Sequence, residues 1–69
     1  VSEFAEVPAV QAWIAFCSKA VVFHKAEAAK YFEQHDHSVS NYHASVAEWY
    51  QNAAGEAWAR LGMLAAMGE

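Results

Sequence analysis

PAVQAWIAFCSKAVVFHKAEAAKYFEQ, from Pro8 to Gln34, decides the fold class. Pro8 suits the first turn of a helix, where its missing N–H costs nothing, and no glycine or second proline interrupts the pattern after it. Along the stretch, Val10, Ile14, Cys17, Val21, His24, Ala28 and Tyr31 recur at alternating steps of four and three, the spacing of one helical face. Trp13, Phe16, Ala20 and Phe23 keep the same rhythm and widen the stripe, while Gln11, Ser18, Lys25, Ala29 and Glu33 fall on the other side. So wide an apolar face expects neighbours on two flanks.

Downstream, HDHSVSN (His35 to Asn41) gathers polar and cap-forming residues, among which Asp36, Ser38 or Ser40 suits the free amides of a second helix. This predicts a helix over about 8–34, a tight turn over 35–40 and a second helix over about 41–53. The second helix carries Val39, Tyr42, Val46, Trp49 and Ala53 on one face, with Tyr50 beside them. Asn52 and Gly55 bracket an expected break, because glycine costs about 1 kcal/mol relative to alanine inside a helix and commonly ends one. After it, Ala57, Trp58, Leu61, Leu64 and Ala65 form a third stripe over about 56–67, fraying around Gly68. The expected fold is all-α, an antiparallel helical hairpin with a third helix, forming one unit over residues 1–69.

Sixty-nine residues hold one domain at most, and a chain of that size buries only about 60% of the surface its unfolded form exposes. The single cysteine excludes an internal disulfide, so stability must come from packing within the chain, packing against something else, or a metal. Composition favours packing: 57% of residues are hydrophobic and 14% aromatic, with three glycines and one proline. The first residue is Val1 rather than methionine, which is read as a processed product or a piece of a longer polypeptide. The charge of −4, with no basic cluster, is the wrong sign for a phosphate-binding surface and argues against nucleic acid. The lone Cys17 fits a reducing compartment. Val7 to Phe23 is nearly apolar but contains Gln11, Ser18 and Lys19. A central lysine adds roughly 2.5 to 3.5 kcal/mol against insertion, so no integral membrane span is expected.

Four histidines raise the question of a metal, with His35 and His37 flanking Asp36, His43 further on, and His24 near Glu27. Zinc asks for four converging ligands, and none of the familiar paired spacings is present; the plainer reading is a solvated turn and a helix-lining His24. No metal or cofactor is therefore expected. Cys17 lies in the apolar stripe, where burial makes a thiol inert, and Ser38, Ser40 and Ser45 are explained as caps and surface residues. No enzymatic activity is expected. The rings of Trp13, Phe16, Phe23, Tyr42, Trp49, Tyr50 and Trp58 are read as core and contact residues rather than a pigment box, and they exceed what two or three short helices can hide.

YHASVAEWYQNAAGEAWARLGMLAAM, Tyr42 to Met67, is similar to a segment of BRO1 domains, the helical domain of Alix-like endosomal proteins. The matching elements are Tyr42, His43, Ser45 and Val46, then Gly55-Glu56 and Ala59-Arg60-Leu61, with Ala28-Ala29-Lys30 upstream. Trp58, Leu61 and Gly62 also resemble the opening helix of a tetratricopeptide repeat. The resemblance implies a segment of a boomerang-like helical domain with tetratricopeptide-like hairpins that binds the C-terminal helix of ESCRT subunits. No binding residue of that family carries over to a position here. The functional expectation is a protein-interaction or scaffolding module, cytoplasmic and endosome-associated, that uses Trp13, Phe16, Phe23, Trp49, Tyr50 and Trp58. Its partner is another protein, the helices of a parent domain, or a second copy. The alternative is a small accessory subunit of a larger membrane or cofactor-containing complex.

Overall fold

The computed structural model describes residues 6–67 as two α-helices, α1 (Glu6–Glu33) and α2 (His37–Met67). They lie against each other as a rod of 52 × 15 × 14 Å. The connection is made by three residues that end one helix and begin the next. His35 adopts a left-handed φ of 63°. Its N–H donates to the Phe32 carbonyl at 3.0 Å, and the Asp36 N–H donates to the Tyr31 carbonyl at 2.9 Å. These are the two hydrogen bonds of a Schellman C-cap, satisfying carbonyls that the helix itself leaves free. Asp36 then caps α2: its Oδ1 accepts from the Val39 N–H at 3.2 Å, and its own carbonyl accepts from the Ser40 N–H at 3.0 Å. Because the cap falls at Asp36, α2 starts at His37, four residues before the expected boundary. The Ser40 hydroxyl is not a cap but donates across the hairpin to the Ala28 carbonyl at 2.8 Å.

Three interhelical contacts fix an antiparallel register: Ser40 to Ala28, His43 to His24, and Arg60 to Glu6. Moving toward the N-terminus of α1 is matched, step for step within a residue, by moving toward the C-terminus of α2. The seam on α1 runs through Val7, Val10, Ile14, Cys17, Val21, His24, Ala28 and Tyr31, all buried or half-buried. On α2 it runs through Ser40, His43, Ala47, Tyr50, Ala54, Ala57, Leu61 and Leu64. Both lists alternate steps of three and four, the repeat of two helices coiled about one another.

The α1 face matches the sequence expectation, and the α2 face is shifted by one residue. Val39, Tyr42, Val46, Trp49 and Ala53 flank the seam rather than fill it, with Tyr42 and Trp49 largely exposed. The reason is size. Ser40, Ala47 and Ala57 are buried where the backbones approach closely enough for a hydroxyl to reach a carbonyl across the pair, and an indole would not fit there. Nor does α2 break at Asn52 or Gly55; it is continuous to Met67, so no third helix forms among the described residues. A lone glycine costs about 1 kcal/mol, too little to end a helix whose seam pattern continues through Ala57, Leu61 and Leu64. Gly68, where fraying was expected, lies outside the described residues.

Candidate interaction face

A seam this narrow leaves most apolar side chains outside it. Among the described residues the buried apolar set is Ile14, Cys17, Ala47, Ala57 and Leu64, while Trp13, Phe16, Val22, Phe23, Phe32, Tyr42, Trp49, Trp58, Met63 and Met67 are exposed. Their distribution is uneven. Ala9, Phe16 and Phe23 are spaced by seven on α1, as are Tyr42, Trp49 and Glu56 on α2, so each trio shares one flank of its helix. A groove of about 520 Å³ joins the two flanks. It is walled by Trp13 and Trp49, floored by Ala9, Val10, Ala53 and Ala57, and edged by Glu56 and Arg60. Arg60 Nη2 donates to Glu6 Oε2 at 2.6 Å, an exposed pair on this same side.

A ladder of rings runs along the hairpin toward this groove. Tyr31 stacks on His43 with planes 7° apart, and His24 stacks on Tyr50 with planes 10° apart. Between these two pairs, His24 and His43 meet with their Nδ1 atoms 2.9 Å apart. Their centroids are 5.1 Å apart and their planes 28° apart, so the nitrogens meet nearly head-on and share one proton, one ring donating and the other accepting. Beyond Tyr50 come Phe16 at 5.8 Å, Trp13 at 6.5 Å and Trp49 at 5.0 Å between centroids. Trp13 and Phe16 stack on each other with planes 18° apart. Ring pairs at these separations add about 0.5 to 1.5 kcal/mol each beyond their buried area, which fixes the exposed rings in place.

The opposite side differs in character. There a second groove of about 500 Å³ is lined by Lys25, Ala28, Ala44, Ala47, Glu48, Gln51 and Asn52, small or polar throughout. Of the six residues proposed from sequence, Trp13, Phe16, Phe23 and Trp49 lie on the aromatic side, and Tyr50 reaches from the seam to join them. Trp58, seven residues on from Gln51, lies on the opposite flank.

The sequence reading missed the role of His43, which belongs to the seam. The signal was available: the Ser40 series keeps its three-four alternation over eight positions to Leu64, whereas the Val39 series runs into Glu56 and Arg60. Among the described residues no three His, Cys, Asp or Glu side chains group as a metal site would require. Burial pushes the Cys17 thiol above its ordinary value. α1 is long and apolar enough, by length and composition, to cross a membrane, and little of its apolar window is buried against α2. No known family model, curated protein or solved structure matches the chain.

Proposed function

We propose that this hairpin is a protein-interaction module whose aromatic side docks on an apolar helical surface of another protein. The observation that supports this most is the asymmetry of the rod. Large rings and a small-floored groove occupy one side, and small or polar residues line the groove on the other. A contiguous run of large exposed rings beside a groove is what marks an interaction surface rather than the scattered apolar side chains of an ordinary exterior. Helix-in-groove docking uses such a surface, with bulky anchors entering a cleft between two helices.

Placement of the module in a BRO1-type domain of endosomal sorting rests on the Tyr42–Met67 resemblance, as does the idea of a tetratricopeptide-like array. Within that finer reading, Gly55 lies exposed on the surface of α2, where a neighbouring hairpin would stack. The alternative of an accessory subunit in a membrane complex draws on the apolarity of α1. Lys19 near the middle of that helix weighs against insertion.

A photoreactive residue placed at Trp49 or, as a control, at Gln51 separates these readings in cells. Adducts from position 49 but not from 51 are expected. No protein adduct from either position, with the chain recovered in the membrane fraction, overturns the module.

A further inference from the structure

Resting on the docking role just proposed, we infer that the occupant of the aromatic side is a second, inverted copy of the same chain, giving an antiparallel four-helix bundle. Self-complementarity along the rod carries the inference. A rise of about 1.5 Å per residue places the middle of the 52 Å rod about 17 residues from the turn, at Cys17 and Tyr50. Phe23, 56% exposed, projects from the turn half, six residues from that midpoint. The groove between Trp13 and Trp49 lies in the other half, centred about as far away. Turning one copy end over end about the midpoint brings each Phe23 over the partner copy's groove, as an isologous two-fold interface requires.

One whole side of the rod, 52 by 15 Å, spans about 800 Å² per copy, room enough for an interface of standard size.

Sedimentation equilibrium and circular dichroism over a range of concentrations test this. The chain is expected to be a helical dimer, with Phe23→Lys weakening association at least about 100-fold. Trp58→Lys, an equally exposed ring on the opposite flank, is expected to leave the dimer intact. A helical monomer at high concentration overturns the inference, and if position 49 still yields adducts with another protein, the docking role survives without it. Dimerisation that resists Phe23→Lys also overturns it.

Discussion

Cys17 is fully buried in the middle of the seam, and the physics of that position governs its chemistry. Desolvation favours the neutral thiol and raises its pKa above the ordinary value of 9.0. A thiol reagent is therefore expected to label Cys17 only through unfolding, at a rate that rises with urea in step with the loss of helicity; rapid labelling of the folded chain would contradict the burial. The sign of the linkage follows. The unfolded thiol ionises first, so this group's contribution to stability is present below pH 9 and is lost as pH rises through the higher folded value.

At the scale of the helix, local chemistry and seam packing pull apart at two places. His35 holds a left-handed conformation that costs a side chain about 1 to 2 kcal/mol and glycine little. The hairpin turn is thus made with a residue unsuited to it, and His35→Gly is expected to raise the melting temperature, whereas Asp36→Ala removes the cap of α2 and costs about 0.5 to 2 kcal/mol. Gly55 and Gly62 are the converse: both are helical, and a Cβ at either meets nothing within 4 Å. Gly55→Ala and Gly62→Ala are each expected to add up to about 1 kcal/mol, a rise of roughly 4 to 8 °C in a domain this size. The same glycines show where the sequence misled. All-α class, the long α1 and a chain reversal beginning near His35 were legible because periodicity and caps agreed there, although the turn is shorter than expected and most of HDHSVSN already belongs to α2. The α2 seam was not, because bulk was taken as the mark of burial. Ser40, Ala47 and Ala57 go inside for being small, while Tyr42 and Trp49 go outside for being large. Of the candidate face, the ring-bearing residues could be named in advance. Their division between two sides could not, since it depends on which flank of α2 meets α1.

For the molecule as a whole, the decisive quantity is how little a two-helix seam can bury. Five small or medium apolar side chains make up the described core, and a chain of 69 residues must offset an ordering cost of about 1.5 kcal/mol per residue. A rod also has a poor ratio of interior to surface, so the rings outside the seam hold most of the remaining stabilisation, and it becomes available only when their outer side is covered. Folding and association should then be one process rather than two. If a second copy supplies the cover, the melting midpoint is expected to rise with chain concentration, on the order of 5 °C per tenfold for two chains of this length melting together. Helicity should fall on dilution along the same curve as dimer mass. Ala47→Leu offers an internal check, because added volume at a 2% exposed seam position should cost about 1 to 3 kcal/mol at every concentration. Phe23→Lys, by contrast, should leave the rod folded only at concentrations high enough to restore the dimer. Calorimetry over a hundredfold concentration range separates the two effects, and a sharp, concentration-independent melt of a monomeric chain would show that the seam alone is enough.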